Sequence, residues 1–285
     1  MKLLIALLLL SQSIFSQGLS PERIKRLKQA TAQITIEGTQ ISGTGFFIND
    51  QGYLATCWHV IDTATKPTAH VRIMIHFHDG DTAEYSIGTI RTHDDRLSEE
   101  VNDNCILVPT RPLHRVIVPL KIGNFNHAEE GEQIYTCGYP LGYSQQFVST
   151  GIISTKYQND NVWRVDGRLK SFPRKEALLD LTLNRGNSGG AIVKMGKTVE
   201  EDSVIAIADF MLTPLGKTGD SLINALAHMK SWIVVTGNAG ERDDPAEISM
   251  ILARGFQNVS LGVSGCISVN YLRDALLATV KLGRY

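Results

Sequence analysis

The sequence predicts an all-β fold, a barrel or a sandwich. Short apolar runs recur along most of the chain, Gly- and Asp-rich turns separate them, and no regular strand–helix alternation appears that would argue for a parallel α/β sheet. A helix over Pro21–Ala30 opens the series, with Ser20 as cap, Pro at its first position and Ile24 and Leu27 on one edge. Ala32–Ile36 alternates, and Gly45–Ile48 and Tyr53–Ala55 flank the turn Asn49–Gly52. His70–Phe77 alternates cleanly and turns through His78–Asp81 into Ala83–Ile87, the pattern of a hairpin. Thr92–Asn102 is polar and acidic and reads as a surface loop. Further strands are expected at Cys105–Val108, Gln133–Cys137, Gln146–Ser154, Val162–Val165, Ala177–Leu181, Ala191–Lys194 and Val204–Phe210. Helical spacing returns only near the end, at Ser221–Val235, Ala246–Phe256 and Asn270–Val280, with a polar connector over Gly237–Pro245.

Composition narrows the partners. With 285 residues, 43% hydrophobic, and 28 basic against 29 acidic side chains, the chain has a core to build and a net charge of −1. Neither nucleic acid nor an anionic membrane is the default partner of such a balance. Lys2 precedes the apolar run Leu3–Leu10 and a small-residue segment ending at Ser16, the order of a secretory signal peptide, with residues 1–16 removed after Ser16. The run falls short of the ~20 residues a membrane span needs. A soluble protein that is secreted or periplasmic is expected, with no stable membrane insertion. Cys57, Cys105, Cys137 and Cys266 are widely spaced, without a Cys-x-x-Cys pair, so no metal site is expected. Each sits in a strand-like apolar run, and the reading favoured is four buried free thiols.

Three short segments carry chemistry, in the order His, Asp, Ser. Thr56-Cys57-Trp58-His59-Val60 follows a strand, Asp103-Asn104-Cys105-Ile106-Leu107 leads an acid into a strand, and Asn184–Ala191 surrounds Ser188 with glycines. A serine hydroxyl is a poor nucleophile until a base takes its proton and donors stabilise the oxyanion it creates. Glycines around Ser188 let the backbone turn tightly, so that Oγ and the N–H groups of Gly186 and Ser188 face one side.

Gly43–Ile48, Gly52–Thr56 with His59-Val60, His78–Gly80, Asp103–Leu107, Gly131–Ile134 through Gly138–Gly142, Thr150–Ser154, and Asp180 with Gly186–Gly190 together resemble the trypsin-like serine peptidases. The branch most similar is the high-temperature-requirement (HtrA, Deg) group of envelope proteases. The resemblance runs from about Thr31 to Phe210. It implies two six-stranded antiparallel β-barrels with helical additions near the C-terminus, barrel one over about 31–120 and barrel two over about 121–285. It implies a serine endopeptidase acting on proteins or peptides, unfolded ones included, with Ser188 as nucleophile, His59 as base and Asp103 as orienter. Gly186 and Ser188 supply the oxyanion hole, and no cofactor is implied. Asp94 and Asp95 are rivals for the acid, ranked behind Asp103 because they lie in a polar loop. Two other readings stay open: a catalytically silent binding protein on the same scaffold, and an esterase using the same triad.

The sequence departs from that family in places. Arg185 stands where the family often has Pro. Thr182 falls at the floor of the primary pocket, with Phe210, Met211 and Ser264 beside it. No acid lies at that floor, so small or medium apolar side chains are expected to fit. Ser264–Leu272 resembles the closing strand and helix start, making about 212–261 a helical insertion; the alternative has Ser221–Val235 as the closing helix. Too little chain follows the last helix for a PDZ domain.

Overall fold

The fold comes from a computed structural model that describes residues 18–65, 72–88, 103–165, 168–211, 234–235, 242–243, 262–274 and 276. A helix, α1 (Pro21–Ala30), is capped by the Ser20 side chain accepting from the Arg23 N–H, and it buries Leu27 and Ala30. It runs straight into β1 (Thr31–Ile36), followed by β2 (Ser42–Phe47), β3 (Leu54–Thr56), a single turn α2 (Trp58–Ile61), β4 (Ile73–His76), β5 (Thr82–Ile87) and β6 (Cys105–Pro109). These six strands close a barrel in the order β1-β2-β3-β6-β5-β4, every pairing antiparallel.

The second barrel closes in the order β10-β11-β14-β9-β8-β7. Its strands are β7 (Gln133–Gly138), β8 (Phe147–Val165), β9 (Arg168–Asp180), β10 (Ala191–Lys194), β11 (Ser203–Met211) and β14 (Val263–Ser268). Two closed six-stranded antiparallel barrels are thus the architecture the resemblance implied. Closure leaves neither barrel an open edge strand within its six-stranded ring. Apolar residues of both barrels fill the interior, with Ile34, Phe46, Leu54, Ile75 and Leu107 in the first and Ile134, Ile153 and Leu179 in the second, all nearly inaccessible.

Two differences from the sequence reading stand out. Gln146–Ser154 and Val162–Val165, expected as two strands, belong to one 19-residue β8, because β9 continues to pair with it out to Val165↔Arg168. The polar stretch Tyr157–Asn161 is an arm of a long hairpin rather than a break. Val234–Val235 (β12), expected as the end of a helix, instead pairs with Arg242–Asp243 (β13) in an antiparallel ribbon; the rest of the expected insertion at 212–261 lies outside the described residues. Helix begins at 270 as expected, and no helix among the described residues is long and apolar enough to cross a membrane.

Helix α1 is riveted to the second barrel. The Arg23 guanidinium donates to both Asp202 oxygens, at 2.7 and 3.2 Å, and to the Gly196 carbonyl at 2.8 Å. Tyr135 donates its hydroxyl to Asp202 at 2.7 Å, so that buried carboxylate is fully engaged.

Candidate active site

The register of the first barrel brings His59 and Asp103 together. Strand β3 pairs with β6 so that Thr56 faces Cys105. His59, three residues beyond Thr56 on the turn α2, therefore lies beside Asp103, two residues before Cys105. Asp103 adopts a positive φ of 48°, a region Asp tolerates better than most residues. Its Oδ1 accepts the His59 backbone N–H at 2.8 Å, and its Oδ2 lies 2.6 Å from His59 Nδ1. This two-point contact holds the proton on Nδ1 and leaves Nε2 free to act as a base. The imidazole keeps one open face, with 44% of its side chain exposed, while Asp103 is buried.

Ser188 comes from the other barrel, in the loop between β9 and β10. Main-chain bonds fix that loop: Asn187 N–H to Asn184 O, Gly190 N–H to Asn187 O, and Gly189 N–H to Ala208 O. Gly186 and Gly189 have φ of +96° and +86°, and a Cβ at either would collide with neighbouring backbone, Tyr139 O for the first and Thr44 O for the second. Only glycine fits both. Thr44 of β2 binds the loop from the first barrel. Its N–H donates to Ser188 O at 2.9 Å, and its hydroxyl donates to Gly186 O at 2.6 Å while accepting from Tyr139 N at 3.1 Å. The Arg185 carbonyl accepts from Leu141 N at 2.6 Å. Across that trans peptide the Gly186 N–H points the opposite way, unclaimed by the 139–141 segment.

Ser188 Oγ donates to the main-chain carbonyl of Asp209 at 3.2 Å; among the described residues no hydrogen bond joins it to His59. Asp209 is a functional candidate that the sequence reading passed over. Its Oδ1 lies 3.9 Å from His59 Nδ1 and its Oδ2 lies 3.2 Å from Arg174 Nη2. The only signal for it is an acid inside the apolar run Val204–Phe210.

Electrostatics follow from this crowding. Partial burial pulls the His59 pKa down, but the hydrogen bond and charge of Asp103, with Asp209 and Asp62, outweigh it and leave His59 above its ordinary value. Burial pushes Asp103 up, but the His59 hydrogen bonds and charge win and hold it below the usual carboxylate range. Asp209 is pushed up to about 7, chiefly by burial and then by the Asp103 charge and hydrogen bond.

Of the residues placed at the specificity pocket, Thr182 is exposed at the end of β9. Ser264 is buried; its hydroxyl donates to Leu181 O at 2.7 Å and accepts from Leu183 N at 3.0 Å, fastening the Thr182 segment to β14. The backbones of Phe210 and Met211 pair with Gly265 and Ser264; their side chains, like Asp94 and Asp95, lie outside the described residues. All four cysteines are buried free thiols. Cys57, His59, Asp103 and Asp209 offer ligand atoms within 4.8 Å of one another. Cys57, however, donates its thiol to Ala208 O at 3.3 Å, and burial with the nearby carboxyls holds it well above its ordinary pKa, which keeps it a thiol rather than a ligating thiolate.

A His–Asp pair on one six-stranded barrel, facing a glycine-flanked serine on the other, is the layout of the double-barrel serine peptidases. The family model described as a trypsin-like peptidase domain matches residues 43–199, more than half of the chain, and the chain belongs to that family. It is 24% identical over 170 residues to serine protease HTRA3 of Rattus norvegicus, covering 59% of this chain and 33% of that protein. It is 30% identical over 173 residues to a probable periplasmic serine endoprotease, DegP-like, of Pseudomonas fulva, covering 58% and 29%. A putative serine protease, HhoA, of Synechocystis is 27% identical over 151 residues, covering 53% and 33%. The chain thus spans about a third of the length of these relatives.

Proposed function

We propose that the protein is a serine endopeptidase working through Ser188, His59 and Asp103. The observation that carries this reading is the two-point clamp of Asp103 on His59, set opposite a serine loop that Thr44 ties to the same barrel. Ser188 Oγ attacks the scissile carbonyl while His59 Nε2 takes its proton. The N–H groups of Gly186 and Ser188 stabilise the oxyanion. The amide bond breaks as His59 returns the proton to the leaving amine, and Ser188 is left acylated. Water then repeats the sequence, releasing the acid and restoring the hydroxyl. Asp103 stays ionised throughout and stabilises the imidazolium.

Proteins or exposed peptide segments are the substrates this reading assigns, and an apolar P1 side chain of small or medium size fits a pocket floored by Thr182. The signal-like residues 1–16 support a secreted or periplasmic location, as does the word periplasmic in the names of the DegP-like relatives.

One observation favours a second reading, the silent scaffold: Ser188 Oγ rests on Asp209 O rather than on His59. A serine-directed fluorophosphonate separates the two. Covalent labelling of Ser188 that is lost in Ser188→Ala supports the peptidase, and an unlabelled, folded wild-type protein overturns it. Cleavage of casein compared with that of a simple ester distinguishes a peptidase from an esterase.

A further inference from the structure

Strand β11 does not pair evenly with β14. Ala208 faces Cys266 and Phe210 faces Gly265, so Asp209 between them is the extra residue of a β-bulge. A bulge re-aims the side chain it carries. Here it turns a carboxyl into the space behind His59, where Asp209 is hydrogen-bonded to Asp103 and lies 3.9 Å from His59 Nδ1. Two buried carboxyl groups in contact cannot both ionise at low cost. Asp103 already accepts two N–H bonds from His59, which favour its charged form and leave the proton to Asp209.

We propose that Asp209 is a positioning residue of the triad: it keeps a proton, donates it from Oδ1 to Asp103, and is held from behind by Arg174. The proposal rests on the triad reading above. Arg174 is itself fixed, with Nε 2.5 Å from the buried carboxylate of Glu176 while Nη2 reaches Asp209. The chain of contacts Glu176–Arg174–Asp209–Asp103–His59 therefore runs from β9 of the second barrel to α2 of the first. The ionisable groups facing Asp209 are Asp103 and His59 from the first barrel with Cys57 beside them, Arg174 and Glu176 from β9, and Cys266 from β14. Burial holds both thiols neutral. With Asp209 raised to about 7, its proton is present in mildly acidic solution. Above neutrality the proton leaves, Asp103 loses a donor, and a second negative charge appears beside the imidazole.

The test combines protonation and rate. In the wild-type protein, the ¹³C signal of the Asp209 carboxyl followed with pH is expected to report a protonated group at pH 5 and to titrate near neutrality. The His59 ring ¹⁵N shifts should move in the same step. This readout needs no turnover, so it decides the proposal even if the protein never reacts with a phosphonate, a result that would sink the peptidase reading instead. For the rate, Asp209→Asn keeps an N–H donor for Asp103 without its charge, while Asp209→Ala keeps neither. Loss of one buried hydrogen bond predicts a phosphonylation rate in mildly acidic solution, per neutral His59 as counted by the ring ¹⁵N shifts, about tenfold lower in Asp209→Ala, and within about threefold of wild type in Asp209→Asn. The acid limb should shift to lower pH in both. An Asp209 carboxyl already ionised at pH 5, an Asp209→Ala rate per neutral His59 in mildly acidic solution equal to wild type, or an Asp209→Asn rate as low as that of Asp209→Ala there would each overturn the proposal. If Asp209→Ala fails to fold, the ¹³C titration and Asp209→Asn still decide.

Discussion

The hydroxyl of Ser188 donates to the main-chain carbonyl of Asp209 at 3.2 Å, and that carbonyl belongs to the residue bulged out of the β11–β14 ladder. A carbonyl in a regular ladder would be spent on the neighbouring strand. The bulge leaves this one to hold the serine, in the resting protein, on the second barrel. On the triad reading proposed above, attack on a substrate requires Ser188 Oγ to leave Asp209 O and turn about its Cα–Cβ bond towards His59 Nε2.

Ser188→Ala is expected to lower turnover on the order of 10⁵- to 10⁶-fold, the scale of removing a serine nucleophile from an intact triad. The thermal midpoint should stay within about 2 °C, because the hydroxyl makes one partly buried bond that the alanine forgoes. Casein cleavage at the wild-type rate would remove Ser188 from the mechanism.

Asp103→Asn should fold and lose on the order of 10⁴ in turnover, because an amide presents the wrong partner to Nδ1 and favours the wrong tautomer. Asp94→Asn and Asp95→Asn serve as controls and should stay within about twofold of wild type if Asp103 is the acid, since the sequence reading ranks them behind it. A silent Asp103→Asn with a large loss at either control would move the acid to that loop.

The pH dependence has a definite sign. On the triad reading His59 acts as a base only when neutral, and its folded pKa lies above the ordinary value of 6.5, so kcat/KM should rise with pH through a midpoint above 6.5. Stability linked to His59 runs the other way. A raised histidine pKa contributes fully below the unfolded value and fades as pH rises through the folded one. Asp103, held below 3.8, contributes above that value and loses its share as pH falls through its folded pKa. A kcat/KM midpoint below 6 would mean that the carboxyls do not govern the imidazole.

The strands, and the places of His59 and Asp103 beside them, were legible because their signals are local, whereas closure into two barrels came only from the family resemblance. His59 follows a strand, Asp103 enters one, and the glycines at 186 and 189 answer backbone angles that only glycine takes freely. Asp209 was illegible because its role depends on a one-residue slip in the β11–β14 register, and a single sequence carries no register. The continuity of β8 was missed for a related reason. A hairpin arm held by its own ladder needs no apolar alternation, so Tyr157–Asn161 reads as a break until Phe172–Glu176 is seen opposite.

Arg23→Ala tests the docking of α1. Asp202 is buried with its oxygens committed to Arg23, Tyr135 and the Gly196 N–H. Removing the cation leaves that charge in place without its partner. The expected cost is about 2–3 kcal/mol, below the full value for a buried pair because the guanidinium is partly wet. Chemical denaturation measures it. A loss under about 0.5 kcal/mol would show α1 to be an ornament rather than a strut.

Thr44 is the residue through which the first barrel holds the serine loop, and its hydroxyl is the sharpest place to test that hold. The side chain is fully buried; its Oγ1 donates to Gly186 O and accepts from Tyr139 N. Thr44→Val keeps the shape and removes the hydroxyl, leaving a partly buried carbonyl and a buried N–H unpaired at an expected cost of about 1–3 kcal/mol. The lost bond orients the Gly186–Asn187 peptide; the N–H assigned to the oxyanion lies in the preceding Arg185–Gly186 peptide, held by Leu141 N, and is disturbed through the Gly186 Cα that the two peptides share. Turnover should fall about 10- to 100-fold, less than the loss from removing an oxyanion donor outright, because the Gly186 N–H is misplaced rather than absent. The loss should appear in kcat more than in KM, since the oxyanion exists only once the serine has attacked. Thr44→Ser restores the hydroxyl and should recover turnover to within about threefold. If Thr44→Val and Thr44→Ser lose stability alike while both keep wild-type kcat, Thr44 serves packing alone and the oxyanion loop is held by other bonds.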